Sequence, residues 1–366
     1  MKPPLRRTRL KAPLQYAVYC AGGGVLLLFM VEVLLNLLPY QPPSSPLLVE
    51  FINPEWKDEF LYRLDPDLFW CFRPNVALHG ERPDGSRYTV RINNLGLRGA
   101  DWPDPAAQGA YRMMMVGDSC AFGVFTEEGR NIPEQLASML AEAHPDRRFH
   151  VLNLGVPGYS SQQALITLQK HGPMYRPHLV ILYSGNNDVL PRVKFSDREI
   201  LLHYRGELRR QGRLEQSKLF TTLRAFLPAA KSGPPVHVSP FAPDPVTRVP
   251  LADSEENFSA ILDFAQGALG ARLIVILPPN LLPEHRIPEV NALLRRLCEP
   301  RGVPTVDAYH LFAGAPDPAA LYAYPAWDKV HPNPQGYRLI AEAVFAAIHE
   351  LGWLPPTPPP TREANR

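Results

Sequence analysis

Four short segments, far apart along the chain, combine residue types that together could run acyl-transfer chemistry. They are VGDSCAFG around Ser119, NLGVPGYSS around Gly155, YSGNNDV around Asn187 and WDKVHPNPQGY around Asp328 and His331. A serine hydroxyl is a poor nucleophile until a neighbouring base takes its proton. Histidine, with an unperturbed pKa of about 6.5, is neutral often enough near pH 7 to be that base. Asp328 precedes His331 by three residues, a spacing that lets its carboxylate reach the far imidazole nitrogen, fix the tautomer and stabilise the imidazolium. Gly155 lets the backbone approach a substrate closely, and its N–H, the N–H of Ser119 and the side-chain amide of Asn187 are the expected donors to an oxyanion. Taken singly, each segment has an ordinary reading. Gly-Asp-Ser, the glycine and the asparagine all suit turns, and the Asp-His pair suits a helix-entry loop or a pair of metal ligands.

What joins the four segments is their place in a strand–helix rhythm that begins after Tyr111. YRMMMVG, FHVLNLG, HLVILYS, ARLIVILPP and VPTVDA read as buried strands. Between and after them, NIPEQLASMLAEAH, SQQALITLQKHG, ENFSAILDFAQGALG, IPEVNALLRRLCEPRG and NPQGYRLIAEAVFAAIHEL read as amphipathic helices. Asn333 and Pro334 suit the cap and first position of the last helix, which stiffens the loop around His331. This alternation implies an α/β fold: a mostly parallel sheet covered by helices on both faces, three layers in all. Ligands of such sheets bind beyond the carboxyl ends of the strands, where these segments fall.

In this order the blocks GDSCAFG, GVPGYSS, GNND and DKVH resemble those of the SGNH, or GDSL, hydrolase superfamily. The resemblance covers about residues 111–351 and implies a flavodoxin-like domain with Ser119 as nucleophile and Asp328 and His331 completing a triad. It further implies an oxyanion hole from Ser119, Gly155 and Asn187, and neither metal nor cofactor. One departure is Cys120, where the name-giving pattern has leucine. The implied activity is cleavage of a carboxylic ester through an acyl-serine. An O-acyltransferase using the same triad, and a catalytically silent envelope binding protein, are the rival expectations. The upstream segment DPDLFWCFRPN…VRINNLGLRG is similar to the amino-terminal part of bacterial envelope members of the superfamily.

Outside this region, residues 12–31 carry no charge and the apolar character continues through Leu38, enough for a membrane-crossing helix of about 20 residues. Lys2, Arg6, Arg7, Arg9 and Lys11 precede it without an acidic residue, so the positive-inside tendency places the bulk of the chain outside the cytoplasmic membrane. A cleaved signal peptide would have a shorter apolar region, about 7–15 residues. Glu32 is the discordant residue, because a carboxylate at the bilayer centre costs roughly 2.5–3.5 kcal/mol and less near an interface.

The 38 Lys and Arg against 36 Asp and Glu leave a net charge of +2, without the basic excess of a nucleic-acid binder. The expected organisation is a basic cytoplasmic tail (1–13), a span (14–38), a linker (39–50), a small β-rich appendage (51–110) and the catalytic domain (111–353) with an insertion at 189–250. A disordered tail follows (354–366). From Pro191 to Lys231 the insertion holds ten Lys or Arg against four Asp or Glu. It reads as two helices, either a lid facing anionic lipid or polymer or a solvated pair. Cys20, Cys71, Cys120 and Cys298 form no C-x-x-C pair and read as buried free thiols, with a Cys71–Cys298 disulfide the open alternative. The expected partners are the membrane and an ester-bearing glycan or lipid, not nucleic acid.

Overall fold

The computed structural model describes residues 12–38, 40, 61–81, 85–103, 108–192, 195–214, 216–226, 246–282, 286–326 and 328–354. The first part of the basic tail, the linker apart from Tyr40, the start of the appendage, part of the insertion (227–245) and the terminal tail beyond residue 354 lie outside the described residues.

In chain order, α1 (Ala12–Leu37) precedes four short strands: β1 (Tyr62–Asp65), β2 (Phe69–Phe72), β3 (Val76–Glu81) and β4 (Arg87–Ile92). The α/β part opens with β5 (Tyr111–Gly117), α2 (Ser119–Phe122), α3 (Ile132–Ala143), β6 (Phe149–Gly155), α4 (Ser161–Tyr175) and β7 (Leu179–Tyr183). The insertion contributes β8 (Pro191–Arg192), α5 (Asp197–Leu214), α6 (Lys218–Ala225) and β9 (Val246–Thr247). Next come α7 (Leu251–Asp263), β10 (Arg272–Ile276), α8 (Ile287–Cys298), β11 (Thr305–Val306) and α9 (Ala308–Ala313). A hairpin of β12 (Tyr322–Tyr324) and β13 (Asp328–Pro332) then leads into α10 (Pro334–Glu350).

Five strands form a parallel sheet in the order β6-β5-β7-β10-β11. In order along the chain this is 2-1-3-4-5, the flavodoxin-like arrangement. Its ligand crevice opens where the first and third strands lie side by side and their connections leave in opposite directions. Successive strand residues point to opposite faces. Met114, Val116, Val180 and Leu182 therefore pack with Leu168, Phe258, Ile261 and Leu294 from α4, α7 and α8. Met113, Met115, Ile181 and Tyr183 pack with Leu136, Leu140, Ile340 and Val344 from α3 and α10. Both faces of the sheet are covered, which is why its strands read as unbroken apolar runs.

The β-rich segment packs onto the α/β part through a shared core. Phe69, Trp70, Phe72, Val90 and Ile92 bury with Phe122, Val124, Val156 and Tyr159, residues that flank α2 and the loop after β6. Trp70 Nε1 donates to Pro157 O at 3.2 Å, and the Tyr159 hydroxyl donates to Trp70 O at 2.7 Å. Antiparallel bridges Ile92–Arg98 and Arg98–Asn153 carry this segment to the edge of β6. From the insertion, α5 buries Ile200 and Leu208 in the same core, and Asp197 at its start pairs with buried Arg248 at 3.0 Å. All four cysteines are free thiols. Cys120 and Cys298 are buried, Cys71 is half-buried, and Cys20 is exposed on α1, contrary to the expectation of burial for all four.

Helix α1 contains a stretch, Pro13–Leu37, long and apolar enough to cross a membrane. At 1.5 Å per residue its 25 residues extend about 38 Å, more than the roughly 30 Å hydrocarbon core.

Candidate active site

The strand β5 ends at Gly117, in register with Gly155 of β6 on one side and Tyr183 of β7 on the other. Asp118 then caps α2, accepting the Cys120 N–H at 2.9 Å. That cap makes Ser119 the first helical residue, at the carboxyl edge of β5. There the open N–H groups of a helix start suit a developing negative charge.

The β12–β13 hairpin brings the other half of the site. Asp328 Oδ2 lies 2.7 Å from His331 Nδ1, and Asp328 Oδ1 accepts the N–H groups of Val330 at 2.8 Å and of His331 at 3.1 Å. With a carboxylate facing Nδ1, that nitrogen carries the proton, and Nε2 is left as an acceptor. Ser119 Oγ lies 2.8 Å from His331 Nε2. Asn333 caps α10 by accepting the Gln335 and Gly336 N–H groups, each at 3.0 Å, with Pro334 at the first position. The loop bearing the imidazole is therefore held at both ends. Burial pushes the Asp328 carboxyl up, but the hydrogen bond and charge of His331 outweigh it and hold the group below its ordinary value. Burial pushes the Cys120 thiol well up, and its Sγ lies 3.3 Å from Val330 O. A protonated, buried thiol is no rival nucleophile.

Of the three expected oxyanion donors, the structure separates one from the others. The Gly155 N–H donates to its near neighbour Asn153 Oδ1 at 2.9 Å and is spent. A Cβ at Gly155 would stand 2.2 Å from Phe122 N, so this glycine serves the close packing of β6 against α2. The expectation of an oxyanion donor at Gly155 is corrected accordingly. Three residues on, Gly158 adopts φ +80°, a left-handed conformation that favours glycine, and among the described residues its N–H has no acceptor. Asn187 Nδ2 donates one proton to Tyr159 O at 3.0 Å, beside Gly158, and keeps a second. The Ser119 N–H likewise has no acceptor among the described residues.

Several residues around the triad carry no motif signal. Asn186 Nδ2 donates to Asp118 Oδ2 at 3.1 Å beneath α2, while Asn280 Nδ2 donates to Asn186 Oδ1 at 3.3 Å. Burial pushes the Asp118 carboxyl up to about 6. Arg98, fully buried, donates to the carbonyls of Phe122 at 3.1 Å, Gly123 at 2.7 Å, Thr126 at 3.1 Å and Glu127 at 2.8 Å. These are carbonyls at and beyond the end of α2, so the β-rich segment fixes the helix that bears Ser119. Phe125 stands edge-on to the His331 ring, with centroids 5.6 Å apart, and to Tyr324 at 4.9 Å.

A serine, an imidazole and a carboxylate in hydrogen-bonded sequence at the strand ends of a doubly covered parallel sheet define the serine-hydrolase class. The chain belongs to the GDSL-like lipase/acylhydrolase family, whose model matches residues 115–339, and it is an ester-cleaving hydrolase of the SGNH/GDSL superfamily. Among solved structures it is similar to LAE5, an alpha/beta hydrolase enzyme from the metagenome of Lake Arreo, at 23% identity and a TM-score of 0.42, covering 67% of this chain and 98% of that one. It is also similar to the lipase/acylhydrolase from Enterococcus faecalis, at 17% identity and a TM-score of 0.44, covering 66% and 96%. Axe2, an acetylxylan esterase from Geobacillus stearothermophilus, matches at 18% identity and a TM-score of 0.42, covering 68% and 98%. No curated protein sequence matched the chain.

Proposed function

We propose that the chain is a membrane-anchored esterase that acts outside the cytoplasmic membrane on an ester-bearing glycan or lipid of the envelope. His331, oriented by Asp328, takes the proton of Ser119 as Oγ attacks the carbonyl carbon. The tetrahedral oxyanion is met by the N–H of Ser119, the N–H of Gly158 and the second amide proton of Asn187. Collapse returns the proton to the departing alcohol and leaves an acyl-serine, which water hydrolyses with His331 again as base. The observation that carries this reading is the 2.8 Å approach of Ser119 Oγ to His331 Nε2, across 212 positions of sequence. The apolar α1 and the five basic residues before it support the anchored, extracytoplasmic placement.

The test is Ser119→Ala in the full chain. Hydrolysis of p-nitrophenyl acetate and labelling by a fluorophosphonate should both vanish while the melting temperature is kept. Undiminished turnover in that variant would remove Ser119 as the nucleophile. Placement is tested in cells by a membrane-impermeant protease, which should cut the catalytic domain only from the outer side.

A further inference from the structure

The insertion helix α6 and the anchor helix α1 cap one another. Glu32, inside the apolar run, accepts the N–H groups of Lys218 at 3.0 Å and Leu219 at 2.8 Å, the Ser217 hydroxyl at 2.8 Å and Asn36 Nδ2 at 2.8 Å. Ser217 Oγ in turn accepts the Phe220 N–H at 3.0 Å, so the first turn of α6 is satisfied. Lys218 Nζ answers by donating to Leu35 O at 3.0 Å and Leu38 O at 3.4 Å, carbonyls at the end of α1. The Tyr40 hydroxyl adds a contact to Thr222 Oγ1 at 3.0 Å. The acidic residue that looked out of place in a span thus meets the positive end of a helix and four donors.

With α1 read as a span, this contact sets the start of α6 near the outer interface. Glu32 lies five residues before Leu37, the last residue of α1, which at 1.5 Å per residue is about 8 Å along the helix. Amphipathic helices that lie in the membrane interface bury their apolar face about 5–10 Å into the headgroup and acyl boundary. From that depth α6 presents Leu223 and, just past its end, Phe226, spaced three apart, 53% and 83% exposed, with Leu219 and Phe220 half-buried a turn earlier. The first turn of α6 packs on the end of α1, and the basic side chains of Lys218 and Arg224 are held by α1 carbonyls and by Gln211.

We propose that the outer face of α6, with Phe226, is seated in the lipid interface, so that the catalytic body is held to the bilayer at two points rather than by a single tether. The inference rests on the reading of α1 as a membrane span. Through α5, which shares a core with the β-rich segment and α2, this second contact sets the distance and tilt of the Ser119 edge relative to the membrane.

The test uses the full chain in phosphatidylcholine–phosphatidylglycerol vesicles, with an environment-sensitive fluorophore on Phe226→Cys in a Cys20→Ser, Cys71→Ser background. Retained ester hydrolysis shows that the labelled chain is folded. Emission should shift to the blue and fall roughly twofold when a lipid with a doxyl group high on its acyl chain is included, as for a residue at interfacial depth. The same fluorophore on Leu202→Cys, 74% exposed on α5, should show neither effect. Emission at position 226 like that in water overturns the proposal, as does a blue shift without lipid quenching, which means a protein surface covers Phe226. Labelling the native Cys20 separates the two readings. If Cys20 is quenched by deep doxyl lipid while position 226 is not, α1 spans and this inference alone fails. If Cys20 also reports water, the span and the inference fall together.

Discussion

Asp328 grips His331 at two points, its Oδ2 on the ring Nδ1 at 2.7 Å and its Oδ1 on the backbone N–H of the same residue at 3.1 Å. One carboxylate therefore sets both the tautomer of the imidazole and the path of the loop that carries it. The nearly buried site strengthens both bonds, since little water competes for either oxygen.

Asp328→Asn should preserve that shape, because an amide oxygen can still accept from the backbone. It removes the charge that stabilises the imidazolium and allows the wrong tautomer, so kcat is expected to fall on the order of 10⁴-fold with little change in KM. Because the folded-state carboxyl sits below its ordinary value, the stabilisation it supplies is present above about pH 4 and lost as pH falls through the folded pKa. Steady-state kinetics with a p-nitrophenyl ester decides the first point, and a kcat within about tenfold of wild type would mean that Asp328 does not orient the base.

Arg98 ties the β-rich segment to the carbonyls at and beyond the end of α2. Arg98→Met would take one buried donor from each of four carbonyls between Phe122 and Glu127, although Phe122 O keeps Asn153 Nδ2, Gly123 O keeps the Thr126 hydroxyl and Glu127 O keeps the Arg130 N–H. The expected loss is roughly 3–5 kcal/mol of stability, as when one side of a buried charged network is deleted. Arg98→Lys should recover only part of it, because a compact ammonium cannot spread over four acceptors as a guanidinium fork does. Urea unfolding of the three proteins measures this. Equal midpoints for wild type and Arg98→Met would show that the clamp carries no stability.

Much of the fold was legible for a simple reason. Met113 to Val116 and Leu179 to Tyr183 are buried from both sides, so their strands read as apolar runs whatever they pack against. Ser119, Asp328 and His331 stood out because each is a reactive residue type in a short polar block, and the structure brings them within hydrogen-bond distance at the start of α2 and along β13. The remainder depends on information that side-chain identity does not carry. Arg98 is recognised by backbone carbonyls, which every residue has. Gly155 and Gly158 are the same residue, and only the committed N–H of the first and the φ of +80° of the second tell them apart. Asn186 and Asn187 are adjacent amides, yet the loop turns one beneath α2 to Asp118 and the other to Tyr159. Glu32 read as a defect of the span because three of its four partners lie 185 to 187 residues away.

Asp118 gives a signature in the pH dependence of stability. Its carboxyl, fully buried, is pushed up to about 6, whereas in the unfolded chain it titrates near about 3.9. Between those values the folded protein binds more protons than the unfolded one at this site, so its contribution to stability falls as pH rises from about 4 to about 6. Asp118→Asn removes the titration and keeps an oxygen for the Cys120 N–H, while turning the Asn186 amide to face the new NH2 gives up the bond from Asn280, a loss that does not vary with pH. Relative to wild type, the variant should gain up to roughly 3 kcal/mol across that window. A wild-type-to-variant difference that stays constant from acid to neutral pH, read by urea unfolding, would mean that burial does not raise the Asp118 pKa above its unfolded value.

Asn187 tests the oxyanion assignment most directly, because its donor is a side chain and can be deleted. Its amide is anchored at one proton by Tyr159 O, at 3.0 Å, which aims the other without fixing it to any protein acceptor. A donor held in that way costs no reorganisation when charge develops on the substrate oxygen, and removing one such donor typically lowers kcat by about 10²–10³-fold. Asn187→Ala should show that loss with KM nearly unchanged, since the interaction forms mainly in the transition state. Asn186→Ala, one position earlier, removes a partner of Asp118 and should act through the melting temperature instead. If the two effects are exchanged, with turnover lost at Asn186 and stability at Asn187, the donor belongs to the neighbouring residue.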